Sequence, residues 1–249
     1  TLERLMELES LSQEVAEFLK LLVQAGYNIF ISGGTGSGKT TFLNALSGCI
    51  PTGERIITIE DSAELQLHGI ANLIRLETRC ANVKGMEEIT IRDLIRAALR
   101  MRPDRIIVGE CRGAEALDML QAMNTGHDGS LSTGHANSCE DMLHRLETMV
   151  LMGMELPLSA IRGQIASGVD ILVHVGRMRD GSRKLLNIME VGAYTDGRIE
   201  LYPLWEFQEN GEKGGRVIGE WKSRERLKNT RKLEWAGIGK SSSQQALRL

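Results

Sequence analysis

Residues 33–41 read Gly-Gly-Thr-Gly-Ser-Gly-Lys-Thr-Thr. The spacing from Gly33 to Gly38-Lys39-Thr40 satisfies G-x-x-x-x-G-K-[ST], a loop that cradles phosphate between a strand and a helix. The glycines let successive backbone N–H groups turn toward one anion. Lys39 supplies a point charge for β- and γ-phosphates, and the Thr40 hydroxyl is placed for Mg²⁺. The following helix adds the positive end of its dipole. The flanks agree. Asn28 to Ser32 is a short apolar run, read as a buried strand, and Lys39 to Leu46 carries Phe42, Leu43 and Leu46 at helical spacing. This places Gly33, Gly34, Thr35, Gly36, Ser37, Gly38, Lys39, Thr40 and Thr41 in one phosphate site, and it constrains the fold to an α/β sheet with a mainly parallel centre.

Three acids follow a second buried run. Arg55 to Ile59 leads into Glu60, Asp61 and then Glu64. In open α/β sheets ligands bind where strands end, so acids leaving a buried strand point to chemistry more than to a solvated turn. Arg105 to Val108 is a third buried run, with Glu110 at its tip, Gly109 before it and Arg112 after it. Glu110 is thereby a candidate Mg²⁺ ligand, acting through water. A further strand-like run lies between His127 and His135. A lone histidine is more often a satisfied group than a catalyst, but His135 follows a strand on the acid-bearing side and is placed to sense a terminal phosphate.

Helices are expected elsewhere. Ser12 caps one that buries Val15, Phe18, Leu19 and Leu22; Thr90 opens another with Asp93 in a capping box; Ser138 caps a third. Arg92, Arg96 and Arg100 recur every four residues along one face, either a solvated stripe or a surface for a neighbouring subunit's anions. From Asp170 the pattern turns to strands, with Asp180-Gly181 and Asp196-Gly197 as hairpin turns. Residues 212–249 carry ten Lys/Arg against four acids and read as a solvated, partly disordered tail. The expected division is a helical linker over 1–27, a nucleotide-binding domain over 28–210 and a basic tail over 211–249. The chain opens at Thr1 within a charged helical pattern, which reads as a piece whose N-terminal domain lies outside it.

Composition excludes some classes. Net charge is −3 and aromatics are 4%, which weighs against a wholesale nucleic-acid binder and against a stacking surface for sugars or bases. The four cysteines form no C-x-x-C pair, so spacing argues against a zinc cluster and for reduced thiols.

Taken together, Gly33–Thr41, Ile59-Glu60-Asp61-Ser62-Ala63-Glu64, Val108-Gly109-Glu110-Cys111-Arg112 and the His127…His135 segment resemble the Walker A, Asp box, Walker B and His box of secretion and pilus traffic ATPases. Arg75-Leu76-Glu77-Thr78-Arg79 and Met101-Arg102-Pro103-Asp104-Arg105 resemble most the Tad/Flp pilus branch (CpaF), related to type II and type IV secretion ATPases. The resemblance spans roughly Leu11 to Val191. It implies a RecA-like P-loop core, ATP and Mg²⁺ as ligands of Lys39, Thr40 and Glu110, and Glu64 as the group that orients or deprotonates the attacking water. It further implies that His127 and His135 couple the γ-phosphate to subunit motion, and that Arg75, Arg79, Arg100 or Arg112 serves as arginine finger or sensor. A homohexamer on the cytoplasmic face of the inner membrane, working on a pilus or secretion platform protein and with no specific nucleic acid, is the implied assembly. The alternative is a RecA-like nucleic-acid motor. Two departures stand out. Cys80-Ala81 occupies a place where the family is expected to have a proline pair, and Gly134 a place where a bulkier residue is usual.

Overall fold

The computed structural model describes residues 1–81 and 87–238. Two helices come first, α1 (Leu2–Glu7) and α2 (Gln13–Gln24). The parallel part follows as β1 (Ile29–Ser32), α3 (Lys39–Ser47), β2 (Arg55–Glu60), β3 (Asn72–Glu77), α4 (Ile91–Leu99), β4 (Arg105–Val108), α5 (Glu115–Asn124), β5 (Leu131–Gly134), α6 (Cys139–Gly153), α7 (Leu158–Gly168) and β6 (Ile171–Arg177). Three antiparallel strands, β7 (Arg183–Thr195), β8 (Arg198–Lys213) and β9 (Arg216–Ser223), precede a short helix, α8 (Arg231–Trp235). All nine strands form one sheet in the order β3-β2-β4-β5-β1-β6-β7-β8-β9.

The short apolar runs are strands because both of their faces are covered. Alternation sorts each run between two cores. Ile29 and Ile31 of β1 join Val15, Leu19, Phe42 and Leu46 on the α1–α3 face, whereas Phe30 packs with Ile57, Val108, Leu120 and Leu146 on the α4–α7 face. Helix caps fall where side chains dictate. Ser12 Oγ accepts from Val15 N, Thr90 and Asp93 exchange both bonds of a capping box, and Ser138 Oγ accepts from Asp141 N. The hairpin turns fall at Asp180-Gly181 and Asp196-Gly197 as the dipeptides predict, with φ positive at Gly181, Asp196 and Gly197. The four cysteines are all unbridged.

The expected division of the chain needs two corrections. Residues 1–27 are not a separate linker, since Leu2, Leu5, Val15, Leu19 and Leu22 are buried in the same core as β1. Nor does order stop at 211. Residue 211 lies inside β8, which pairs with β9. Trp221 donates its indole N–H to the Leu185 carbonyl at 2.8 Å, and its ring lies 4.9 Å from that of Phe207. Beyond β9, Leu227 and Leu233 are buried, and Lys232 Nζ reaches Asp170 Oδ2 and Asp128 Oδ1, each at 2.7 Å. A basic average concealed this because the lysines and arginines alternate with a few inward apolar groups, which is the strand pattern itself. Residues 239–249 lie outside the described residues.

Leu233→Ala is therefore expected to destabilise the chain by about 2 kcal/mol, the lower end of the cost of emptying a buried leucine site. The midpoint of urea unfolding measures it; an unchanged midpoint would restore the solvated-tail reading.

Candidate active site

Sheet order brings the ends of β1, β2, β4 and β5 to one edge, so the phosphate loop, the turn after Glu60, Glu110 and His135 emerge side by side. The loop's shape follows from its glycines. A Cβ on Gly33 would collide with Ser37 Oγ and the Val175 carbonyl of β6, and Gly36 and Gly38 have φ of +71° and +94°. Ser37 Oγ donates to the Gly34 carbonyl at 2.8 Å, closing the loop on itself. Gly38 offers no side-chain cap to α3, so the first N–H groups of that helix remain free for an anion.

Lys39 folds back over the loop. Its Nζ donates to the Gly34 carbonyl at 3.1 Å and stands 3.5 Å from His135 Nδ1, with only 8% of the residue exposed. Burial holds this ammonium below its ordinary value, Glu110 opposes that shift and Arg112 adds to it. On the far side of the imidazole, His135 Nε2 stands 2.9 Å from Glu110 Oε1. His135 is thus wedged between the Lys39 ammonium and the Glu110 carboxylate. Glu110 Oε2 accepts from Arg112 Nε at 2.6 Å, and Arg112 also leans toward Asp61 Oδ2 at 3.7 Å. Glu110 Oε1 is buried and receives no aligned hydrogen bond. The Glu110 carboxylate and the Thr40 hydroxyl are hard oxygens of the kind Mg²⁺ takes, and these two residues would hold it.

Glu60 holds the neighbouring turn. It is 5% exposed, and its Oε1 accepts from the backbone N–H groups of Glu64 and Leu65 at 3.0 and 2.9 Å. A Cβ on Gly109 would stand 3.1 Å from Glu60 Cγ, so glycine before Glu110 leaves room for the turn-holding acid. Glu64 itself is exposed on that turn. Gly134 is explained likewise. A Cβ there would stand 2.6 Å from Met142 Cε, so the methionine of α6 fills the space of the usual bulkier residue and supports the chain next to His135.

Other expected site residues lie elsewhere. His127 precedes β5 and so sits at the opposite edge of the sheet, where its backbone carbonyl accepts from Ser130 Oγ. The two histidines flank one parallel strand, and a strand's ends face opposite edges. Arg100, at the end of α4, is on that far edge too. Arg92 and Arg96 both pair with the buried Asp118 at 2.6 and 2.9 Å, so neither is a free stripe. Arg79 donates from Nε and Nη2 to the Glu87 carbonyl, and Arg75 reaches the Leu67 carbonyl at 3.5 Å from the exposed edge strand β3. Arg112 is the candidate arginine paired with Glu110, and Arg79 lines a cavity with Arg112 and Asp61 at the same edge.

Sequence reading missed a contact from the other side. Arg183, the first residue of β7, donates Nε–H to the Gly36 carbonyl at 3.0 Å. It borders a cavity of about 420 Å³ that runs from the phosphate loop to Leu5 and Leu8 of the N-terminal helices. The only sequence signal was position, since it follows a hairpin turn in a sheet whose register was not yet known.

This sheet order and glycine-rich loop define an α/β protein of the P-loop kind. The family model for type II/IV secretion system proteins matches residues 1–238, and the chain belongs to that family. A putative conjugal transfer protein of Mycobacterium tuberculosis is 45% identical over 184 residues, 74% of this chain and 51% of its own length. The type IV secretion system protein PtlH of Bordetella pertussis is 44% identical over 184 residues, 73% of this chain and 54% of its own. Among solved structures, the VirB11 ATPase of Brucella suis in complex with sulphate superposes with a TM-score of 0.65 at 36% identity, over 76% of this chain and 56% of that one. The chain thus spans about half the length of the relatives it matches.

Two neighbouring glycines test the loop. Gly33→Ala forces the added methyl onto β6 backbone and is expected to destabilise by about 1–3 kcal/mol while weakening anion binding. Gly34→Ala, with nothing within 4 Å of the new methyl, is expected to be tolerated. Unfolding midpoints together with titration of a fluorescent ATP analogue separate the two.

Proposed function

We propose that this chain hydrolyses ATP to ADP and phosphate and that the reaction drives a membrane-bound secretion or pilus machine, of the Tad/Flp type by its motifs. The observation that carries the reading is the line Lys39–His135–Glu110 at the mouth of the phosphate loop, with distances of 3.5 and 2.9 Å. It ties the group that meets the terminal phosphate to the group that meets the metal.

Phosphoryl transfer to water needs positioning and charge neutralisation more than covalent chemistry. Lys39 and the free N–H groups of α3 hold the phosphates. Thr40 and Glu110 would hold Mg²⁺, which neutralises charge on the β- and γ-oxygens when bound. Glu64, presented by the Glu60-held turn, orients the attacking water and accepts its proton. Arrival of a γ-phosphate competes with the Gly34 carbonyl for the Lys39 ammonium. His135 passes that change to Glu110 and, through it, to Arg112. An arginine from a neighbouring copy, Arg79 or Arg75, would complete the charge neutralisation of the site in a homohexamer. A cytoplasmic ring peripheral to the inner membrane, docked on a platform protein, is consistent with this. No helix among the described residues is long and apolar enough to cross a membrane.

Three variants separate the roles. Lys39→Ala should abolish ATP binding with the fold intact. Glu64→Gln should keep ATP affinity and lose at least ~10²-fold in turnover, whereas Glu110→Gln should also raise the Mg²⁺ requirement. Parent-level hydrolysis by Glu64→Gln would remove that residue from the mechanism.

The shared site has its own test. An arginine given in trans is worth ~10³-fold or more, so turnover per subunit should rise with protein concentration. Mixing Arg79→Ala with Glu64→Gln subunits should recover part of the activity, because some interfaces then pair two intact residues. Mixtures no better than either parent variant would point to a self-sufficient subunit.

A further inference from the structure

We infer that Arg183 is the group that recognises the nucleoside end of the bound nucleotide, making this a site for a base-bearing triphosphate and not for polyphosphate in general. The inference deepens the nucleotide reading above and rests on it.

Arg183 is exposed, yet its Nε is fixed on the Gly36 carbonyl at 3.0 Å, and its Cδ would stand 3.3 Å from a Cβ on Gly38. The side chain therefore lies along the phosphate loop. One of five guanidinium donors is spent on Gly36, and the others have no partner among the described residues. Leu5 and Leu8 line the same cavity, and Leu8 is 51% exposed, large for a leucine beside a charged loop. A planar guanidinium and apolar side chains lining one cavity beside a phosphate cradle match a ligand with a planar aromatic ring attached to phosphates. Arginine stacks on such rings and donates in plane at the same time.

The two walls are held at a set separation. The Leu185 N–H donates to the Ser10 carbonyl at 2.8 Å, and the buried Lys184 Nζ donates to the Glu9 carbonyl at 2.8 Å. Both bonds tie the end of α1 to the residues following Arg183. Glu9 accepts a φ of +53° to make its contact. On the strand side the hairpin turn is equally fixed. Asp180 accepts from the Ser182 N–H at 2.9 Å and from the Val217 N–H at 2.8 Å. Arg183 is thus held on rigid backbone, with its mobility confined to its own side chain.

The test compares two ligands on the chain itself and on Arg183→Ala, Arg183→Lys and Leu8→Ser. Isothermal titration measures affinity for ATP and for inorganic tripolyphosphate, both with Mg²⁺. Arg183→Ala is expected to lose about tenfold in ATP affinity, of the order of a stacked cation, with tripolyphosphate affinity within twofold of the parent. Arg183→Lys should recover little of the loss, since an ammonium has no planar face. Leu8→Ser should weaken ATP alone. Equal losses for both ligands would make Arg183 a support of the loop and overturn the inference. Unchanged ATP affinity in Arg183→Ala, with a parent that binds ATP, would overturn it also. A parent that binds neither ligand would overturn the nucleotide reading, and this one with it.

Discussion

Lys39 is a buried ammonium that must stay charged before any phosphate arrives. Taking such a charge out of water costs several kcal/mol unless partners restore it. The edge of the sheet is arranged around that requirement. The Gly34 carbonyl gives one acceptor, and the Glu110 carboxylate lies beyond the His135 ring. Arg112 and Asp61 adjust the carboxylate in turn. None of these groups can move without altering the environment of the next. The strand ends that carry them are neighbours in the sheet, β1, β5, β4 and β2 in turn, and their positions follow from that order.

The same edge shows how the acids divide the work. Glu60 is the most buried of the acids after β2, and both its recorded bonds go to backbone N–H groups. It shapes a turn. Glu64 stands on that turn, with its carboxylate in solvent. Equal chemistry at four residues' distance thus gives one acid that fixes geometry and one that is free to act. Gly109 belongs to the first of these, since its missing side chain is the space that Glu60 fills.

Much of this was readable beforehand where the signal was local. The phosphate loop, the caps at Ser12, Thr90 and Ser138, and the Asp-Gly turns depend on a few adjacent residues, and the chain obeys them. The alternation of short apolar runs sufficed for a parallel sheet. What depended on register was not readable. His127 and His135 look equivalent in a list of motifs, but one parallel strand lies between them and sends them to opposite edges. Arg92 and Arg96 look like a solvent stripe until α5 places Asp118 against both. Arg183 could be found only once β7 was known to lie beside β6, two strands from the loop it touches. The folded C-terminal stretch was hidden by its charge, because composition averages over a period that strand packing uses.

The contact of Gly33 with the Val175 carbonyl has a mechanical side. Gly33 opens the phosphate loop, and Val175 belongs to β6, the strand that begins the run of antiparallel hairpins. With no Cβ between them there is no compressible layer at this joint. Strands β6 to β9 are joined by antiparallel ladders that bulges interrupt, and the two longest strands among them have 13 and 16 residues. A shift of the loop at this joint would therefore press directly on the backbone of the strand that leads into the hairpins. One of the loop's tightest approaches is thus to backbone, which cannot yield as the end of a flexible side chain can.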